Sequence, residues 1–579
     1  VFTADGRQLG RGDVSFINDG DVNLYGRSNV GLYIAEDDRG KLTTKSNFIM
    51  NKPINLQGDN STGLYVENSG EGLKNPLNTV RFVIGAKDNT TIPTYVPKNS
   101  LLNTANVKQA NHNKEYNDEN LAEEIFGVIL RNPNAELHLK VPQLEIERFA
   151  KKTVGLHSRE GLIKVTEGNI EIKGGENNTA ISADGGNIDY TGNITIKESS
   201  LDGDTGNKKG IKNLAVLGIS SSSRISHVKI NGDINTDTRD TITVYSINSK
   251  IDLNGKLNLK LRPEETGQNI AIYAKDSTAT TPITVQTNQS KIEIIGKKDD
   301  GSITNQGLAL YAERGGQILA NGTSLADGLY MKITDAASAI FSNGSTSNIE
   351  TKYSTIDYDS RGYALYTKNG GKIDVSNSKI NLYGESTGFE RDGNLANPSS
   401  ITLTGTKFYA HSDDVAIMSL KDVPSLTYST LSGTFLQNYL GGAEVYGVNG
   451  VKNYKLGIID GLNSFDIESD YDKSKAFDPA NLGTNDYVLT RQLLIKRAKI
   501  NLKSGNKINA ILSSNEINDI GEKTAVGLAT GGSGYSLHYT NAESQINLEA
   551  NTSVNVDRTD KGTGSVGLFT NYGQINVDQ

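Results

Sequence analysis

The chain of 579 residues contains no cysteine and no tryptophan, and aromatic residues make up only 7% of it. The missing cysteines exclude disulfide bridges, thiol catalysis and thiolate metal sites. A hydrophobic fraction of 35% supplies too few large side chains for several compact cores. Because glycine and asparagine recur throughout, the composition favours one elongated, repetitive body with a core one or two side chains thick.

Long apolar runs and blocks of one charge are also missing. No apolar run of about eighteen residues occurs, and the chain begins at Val1 in polar sequence without a signal peptide. We therefore expect no transmembrane helix, and a mature chain or an excised segment. The net charge is -8, from 59 basic and 67 acidic residues that alternate along the chain. Without a basic block, nucleic acid is not an expected partner.

The strongest positive signal is a unit of three short strand-like pieces, clearest from Tyr363 to Gly384. Its pieces read Y-A-L-Y-T-K, K-I-D-V-S and K-I-N-L-Y, separated by Gly, Asn and Ser. In the second piece Ile373 and Val375 point one way and Asp374 points the other, which is the period-two alternation of a strand. The same pattern returns between residues 154 and 197 and, in shorter copies, along most of the chain.

Three short strands in a repeat of about 20 to 28 residues indicate a parallel β-helix, with one strand on each face of every coil. The predicted fold class is all-β: a right-handed parallel β-helix (solenoid) with extruded loops and one short helical insertion. An antiparallel β-sandwich is the alternative, since its strands alternate with the same period. The connectors are seldom the Asn-Gly or Asp-Gly pairs that tight hairpins prefer, which favours the β-helix.

Two interruptions divide the repeats. Between Asn106 and Lys152 the alternation stops, and Asp118 to Leu130 contains apolar residues at helical spacing, which predicts a short amphipathic helix outside the coil wall. The second interruption lies between Gly441 and Arg497. The predicted segments are N-terminal coils (1–105), an insertion with the helix (106–152), a central β-helix (153–440), an extruded subdomain (441–497) and C-terminal coils (498–579).

The segment 441–497 is the predicted recognition region, because loops on a rigid scaffold can vary without disturbing it. Within it, Tyr454 and Tyr471 accompany Asp470 and Asp472. Aromatic rings beside carboxylates suit a sugar or a cationic side chain. The alternative for each residue is a solvated loop position without a function.

Catalytic chemistry has little support in the sequence. Other β-helices carry pectin-cleaving sites, so the adjacent carboxylates at 37–38, 299–300 and 413–414 are candidates. The Asn-Thr-Asp triplet at 235–237 resembles part of a polygalacturonase motif, but it lies far upstream of Asp413 and the later motifs are missing. No catalytic residue is predicted, and the chain is expected not to be an enzyme.

Metal and integrin motifs are equally weak. The six histidines lack any zinc-binding spacing. The segment from Asp470 resembles the start of a calcium loop, but Lys475 stands where glycine is needed. We predict no metal and no cofactor. The triplet Arg11-Gly12-Asp13 could mimic an integrin ligand or form a turn between strands.

The repeats resemble a known family. The G-L-Y or A-L-Y opening, the G-G-x-I-x-V middle and the I-N-L-x-G close are similar to the passenger repeats of type Va autotransporters. More narrowly, the stretches Thr490–Gly505, Ile520–Gly527 and Asp557–Gly573 resemble the giant fusobacterial outer-membrane adhesins of the RadD-like group. The general repeat covers most of the chain, and the narrower match covers its C-terminal part.

That resemblance implies a surface adhesin passenger, displayed from the outer membrane by a C-terminal barrel that this chain lacks. It implies coaggregation with other bacteria or attachment to host cells. The expected partner is a host-cell or bacterial surface receptor, either protein or glycan, and the expected state is a monomer. A polysaccharide-degrading β-helix enzyme and a secreted toxin passenger are the alternatives.

Overall fold

The computed structural model divides the chain into two compact units, Val1–Asn321 and Gly322–Gln579. The boundary between them falls inside the segment predicted as a single central β-helix. The structure describes residues 2–4, 15–20, 22–24, 27–35, 47–67, 73–85, 121–201, 204, 209–220, 224–265, 268–277, 281–304, 306–392, 398–421, 426–428, 440, 442–451, 454–460, 464–468, 470–472, 493–496, 499–512, 525–531, 545–558, 565–571 and 574–578.

In unit 1 the described elements are all strands: Phe2–Ala4 (β1), Ser15–Asn18 (β2), Val22–Leu24 (β3), Val30–Ala35 (β4), Asn47–Met50 (β5), Ile54–Leu56 (β6), Thr62–Glu67 (β7), Thr79–Ile84 (β8), Ala122–Glu123 (β9), Phe126–Glu147 (β10), Ala150–Lys151 (β11), Val154–Lys173 (β12), Thr179–Asp184 (β13), Asn187–Lys197 (β14), Leu214–Ile219 (β15), His227–Ile230 (β16), Ile234–Arg239 (β17), Ile242–Ile247 (β18), Lys250–Leu253 (β19), Leu257–Arg262 (β20), Ile270–Lys275 (β21), Ile283–Gln286 (β22), Lys291–Ile295 (β23), Leu308–Glu313 (β24) and Gln317–Asn321 (β25).

The described elements of unit 2 are likewise strands: Tyr330–Thr334 (β26), Ser338–Asn343 (β27), Asn348–Lys352 (β28), Thr355–Asp359 (β29), Tyr363–Lys368 (β30), Lys372–Ser376 (β31), Lys379–Tyr383 (β32), Thr387–Asp392 (β33), Ser400–Thr404 (β34), Lys407–Ala410 (β35), Ala416–Lys421 (β36), Leu426–Tyr428 (β37), Glu444–Gly447 (β38), Lys455–Asp460 (β39), Phe465–Ile467 (β40), Tyr471–Asp472 (β41), Leu493–Lys496 (β42), Lys499–Leu502 (β43), Lys507–Leu512 (β44), Ala525–Gly531 (β45), Gln545–Leu548 (β46), Ser553–Arg558 (β47), Ser565–Asn571 (β48) and Gln574–Val577 (β49).

Within each unit, a strand typically pairs in parallel with the strand three places earlier and the strand three places later. In unit 1, β18 lies between β15 and β21, while β19 lies between β16 and β22. In unit 2, β29 lies between β26 and β32 in the same way. This pairing is that of a parallel β-helix, which confirms the predicted fold class. The right-handed sense of the winding stays a prediction.

The coils of each unit form three walls. Wall A contains the strands that open the repeat, such as β18 and β30; wall B contains those that follow, such as β19 and β31; wall C contains the third strands, such as β20 and β32. The long strands β10 and β12 contribute to all three walls, and their mutual pairing shifts register where the chain passes between walls. No helix long and apolar enough to cross a membrane occurs among the described residues.

The core is built from aliphatic side chains that repeat in register from coil to coil. On wall B of unit 1, one inward position is paired through successive coils and is at most 1% exposed in each. Its occupants are Ile163, Ile188, Val228, Ile251, Ile283 and Ile318. Branched side chains pack well on a pleated surface, and similar neighbours about 4.8 Å apart form a continuous apolar column.

Buried asparagines satisfy the backbone where the chain leaves one wall for the next. The Asn213 side-chain oxygen accepts a hydrogen bond from the Asn178 backbone N–H at 2.9 Å, and the Asn178 side-chain oxygen accepts one from Thr153 N–H at 3.1 Å. The Asn178 amide group in turn donates to the Ala150 carbonyl at 3.0 Å. Because an unpaired buried backbone group is costly, this asparagine ladder stabilises the corner.

The predicted amphipathic helix from Asp118 to Leu130 is wrong over the part that the structure describes. From Leu121 onward the segment forms β9 and the start of β10, which pairs with β7 and β12 on wall A. Val128 and Leu130 point inward and are fully buried. A Cβ atom on Gly127 would lie 2.5 Å from the Gly155 carbonyl oxygen, so this glycine lets two coils approach closely.

A buried ion cluster links four coils of unit 1. The Arg239 side chain is only 2% exposed, and its Nε, Nη1 and Nη2 atoms contact Glu198 at 2.7 Å, Glu264 at 2.6 Å and Asp299 at 2.8 Å. Arg262 Nη2 also contacts Glu198, at 2.9 Å. The hydrogen bond from Arg239 holds the pKa of Asp299 below its ordinary value. One guanidinium therefore contacts three carboxylates from different coils.

Replacing Arg239 with leucine should lower the free energy of unfolding of unit 1 by about 3 kcal/mol. Removing one member of a buried ion cluster leaves its partners uncompensated, and solvent access to Asp299 and Glu264 keeps the loss at the lower end of the known range. Urea denaturation followed by circular dichroism measures it. The matched control is Arg314→Leu, whose 59%-exposed side chain pairs with Asp276 at the surface; it should lower the free energy of unfolding much less than Arg239→Leu does. Equal losses for the two variants would contradict the assignment.

Candidate recognition surface

The four residues predicted to form a binding site differ in how far the structure describes them. Tyr454 is fully buried, so it is a core residue and its ring cannot contact a partner. Asp470 is exposed, and its Oδ1 atom accepts a hydrogen bond from the Lys507 backbone N–H at 2.8 Å. Tyr471 and Asp472 form β41, which pairs with β44. Tyr454 is therefore not exposed for binding, while Asp470, Tyr471 and Asp472 stay predicted contacts.

The predicted extruded subdomain 441–497 is also wrong over its described residues. Strand β38 pairs with β35, β39 with β36 and with β42, and β40 with β37 and β43. Val445 and Ile467 are inward and at most 1% exposed. These strands continue the coils of unit 2, because their apolar residues keep the alternation that the core requires.

Two of the carboxylates considered for catalysis, Asp299 and Asp300, form structural contacts. Asp299 belongs to the Arg239 cluster, and the Ser302 side chain and backbone hold the pKa of Asp300 below its ordinary value by hydrogen bonding. Ser412 caps the turn at Asp414 through a bond from the Asp414 N–H at 3.1 Å. The pair at 37–38 and the triplet at 11–13 lie outside the described residues.

A different surface gathers aromatic and charged side chains. It is the outward side of wall C in unit 2, formed by β26, β29, β32, β35 and β38, which pair in sequence. We call it the tyrosine face. Its members are Tyr330, Lys332, Asp357, Asp359, Lys379, Asn381, Tyr383, Lys407, Tyr409, His411, Glu444 and Tyr446.

At one end of the tyrosine face, polar side chains hold one another in place. Asp357 accepts hydrogen bonds from the Tyr330 hydroxyl at 2.6 Å and from the Asn381 amide at 2.5 Å. The His411 ring nitrogen lies 3.4 Å from the Asn381 oxygen, and its imidazole stacks on Tyr383 with 4.3 Å between ring centroids. These contacts span four coils and fix the side chains in defined positions.

At the other end, aromatic rings and lysines alternate. Tyr409 and Tyr446 stack with 5.3 Å between centroids and 19° between ring planes. Lys379 Nζ lies 4.8 Å from the centroid of the Tyr409 ring, and Lys407 Nζ lies 5.6 Å from that of Tyr446. Tyr446 keeps 39% of its surface exposed. Cation–π contacts of this kind hold long lysine side chains against the rings.

The tyrosine face carries no net charge. Its three lysines balance its three carboxylates, and Lys407 Nζ contacts the Glu444 carboxylate at 3.0 Å. Burial lowers the pKa of His411, and the Lys379 ammonium lowers it further. The imidazole is therefore neutral at neutral pH, which leaves a surface of balanced donors and acceptors.

The outward side of wall C in unit 1 has different side chains, so a row of aromatic rings and lysines is not a general feature of this fold. Its outward positions carry ion pairs instead of rings: Lys173 contacts Glu145 at 2.7 Å and Glu171 at 3.3 Å, and Arg262 contacts Asp237 at 2.6 Å. Outward residues of a coil wall are free to vary, because only the inward positions form the core. The stacked rings, the lysines beside them and the exposed Tyr446 on wall C of unit 2 therefore mark this surface as the candidate site.

In the part of the chain that the structure describes, no group of three or more histidine, cysteine or carboxylate side chains is arranged to hold a metal ion. Compared with protein-family models and with curated proteins, the sequence matches none. The assignment of the candidate site therefore rests only on the positions and contacts of its side chains.

Replacing Tyr454 with alanine should lower the free energy of unfolding of unit 2 by about 3–5 kcal/mol, because it empties a large buried site. Replacing Tyr446 with alanine should change the free energy of unfolding much less, since that ring lies at the surface. Parallel denaturation curves measure both. A small effect of Tyr454→Ala on the free energy of unfolding would contradict the burial of this side chain and make it a candidate contact again.

Proposed function

We propose that the chain is a passenger segment of a cell-surface adhesin, which attaches a bacterium to other bacteria or to host cells through the tyrosine face. The observation that carries the proposal is the exposed Tyr446 ring, flanked by Lys407 and Glu444 on a flat coil wall. Exposed aromatic side chains among hydrogen-bonding groups are typical of recognition surfaces. The repeat resemblance to autotransporter passengers supports the surface location.

The β-helix suits this function because it separates stability from recognition. On β35, Phe408 is fully buried in the core, while its neighbours Lys407 and Tyr409 point outward. Outward residues can therefore change without creating a cavity. Successive coils present such residues about 4.8 Å apart on a rigid wall, so a receptor meets a preformed surface.

The same contacts favour binding over catalysis at the tyrosine face. Asp357 is occupied by the Tyr330 hydroxyl and the Asn381 amide, and Glu444 is occupied by Lys407 and the Tyr446 hydroxyl. The pKa of Glu444 is held below its ordinary value by the Tyr446 hydrogen bond and then by Lys407. A general acid needs a proton at neutral pH, so Glu444 is suited to accept hydrogen bonds instead.

The labelled chain should attach to partner bacteria or epithelial cells, and Tyr446→Ala should weaken attachment about tenfold or more. An exposed aromatic residue at the centre of a contact contributes about 2 kcal/mol when it is a hot spot. Flow cytometry across a range of protein concentrations measures the apparent affinity.

The matched control is Tyr33→Ala in unit 1. Tyr33 also stacks on one tyrosine, at 5.5 Å from Tyr65, and bonds to a glutamate, Glu67, at 2.9 Å. This variant should attach like the unchanged chain. Equal attachment by all three proteins would exclude the tyrosine face as the adhesive surface.

A further inference from the structure

The exposed face of Tyr446 distinguishes it from the other stacked tyrosines. Its ring packs on Tyr409 on one side, and β38 pairs with β35 alone among the described strands. It is also the one aromatic residue among the exposed large hydrophobic side chains of the described regions. A planar ring with an accessible face offers a platform on which a second flat, weakly polar surface can stack.

The tyrosine ladder on wall A of unit 1 provides a contrast. Tyr273 stacks on Tyr245 at 4.8 Å and on Tyr311 at 4.7 Å, so both of its ring faces are covered and it is only 8% exposed. Its hydroxyl bonds to Glu313. That ladder presents ring edges to the solvent and stabilises the wall, which shows that a tyrosine column alone does not form a binding platform.

The groups beside Tyr446 match hydroxyls. Lys407 supplies a donor, and Glu444, 3.0 Å away from it, supplies acceptor lone pairs. A sugar hydroxyl donates and accepts at the same time, so a neighbouring ammonium and carboxylate can bond to adjacent hydroxyls of one ring. Because the two charges cancel, the position gives no preference to a charged ligand.

The surroundings disfavour a protein or a nucleic acid as the occupant. A protein hot spot is a desolvated apolar patch, but Tyr446 is flanked by the charged Lys407 and Glu444, and the rest of the face carries further charges such as the exposed Lys332 and Asp359. The exposed aliphatic side chains of unit 2 that the structure describes, such as Leu325 and Ile575, lie on other strands or loops. Nucleic acid requires an excess of positive charge, which the tyrosine face lacks.

We infer that the tyrosine face binds an uncharged oligosaccharide: one sugar ring stacks on Tyr446, and its hydroxyls bond to Lys407 and Glu444. This inference rests on the proposed adhesive function and names the chemistry of its receptor.

Binding of defined sugars to the full chain tests the inference directly. The probes are neutral tetrasaccharides of hexoses and N-acetylhexosamines and their sialylated or sulfated counterparts, with affinity measured by saturation-transfer NMR and by tyrosine fluorescence. At least one neutral tetrasaccharide should bind. Tyr446→Phe should keep the affinity within about threefold, while Tyr446→Ala and Lys407→Met should each lower it about tenfold.

Tyr33→Ala is the control and should bind the sugar like the unchanged chain. Preference for the charged sugars, absence of binding by the whole panel, or equal binding by Tyr446→Ala would each overturn the inference. The denaturation curve of Tyr446→Ala reports its fold, so a loss of binding with an unchanged curve is not explained by misfolding.

Treatment of target cells separates this inference from the proposed function. Periodate, which cleaves vicinal diols of sugars, should abolish attachment, and protease treatment should leave most of it. If protease abolishes attachment and periodate does not, while Tyr446→Ala still lowers it, adhesion through the tyrosine face stands and the saccharide assignment is wrong. If no cell is bound but a tetrasaccharide is, the saccharide assignment stands and the adhesive function is wrong.

Discussion

The register between successive coils is the constraint on which the rest of each unit depends. Each inward position must meet another inward position about 4.8 Å away, and a shift of one residue would reverse every side chain on the strand. On β19 such a shift would put Asp252 in the place of Ile251, which is fully buried. The core therefore fixes alternate residues of every strand and leaves the others free for ion pairs or recognition.

The alternation that sets this register is visible in the sequence, so the fold could be predicted. Part of its detail could not, because that detail depends on contacts between coils. Between Asp118 and Leu130 the apolar residues Leu121, Ile125 and Val128 fit both a helix and the edge of a coil. What decides between them is the close approach of Gly127 to Gly155, a contact between residues 28 positions apart (155 minus 127). Local spacing contains no information on that contact, so the helix prediction was wrong.

The candidate site could not be predicted from the sequence for a related reason. Tyr409 and Tyr446 are adjacent on wall C, but 36 residues separate them along the chain (410 to 445), and that length hides their common register. Tyr454, in contrast, lies near acidic residues in sequence and resembles a binding residue until its burial is known. Sequence reasoning found residues that are neighbours along the chain, whereas a β-helix builds its surfaces from residues that are one coil apart.

Rigidity connects the polar contacts of the tyrosine face with its proposed role. A side chain that is ordered before binding loses less entropy when a ligand arrives. Asp357, held by two donors from neighbouring coils, and the stacked pair of Tyr409 and Tyr446 are ordered in this way. Arg239 in unit 1 is likewise held by charged side chains from neighbouring coils. Because Arg239 is buried, this cluster stabilises the wall and is not available to a ligand. The difference between a structural cluster and a recognition surface on this scaffold is therefore solvent access, because both are assembled by the same coil-to-coil register.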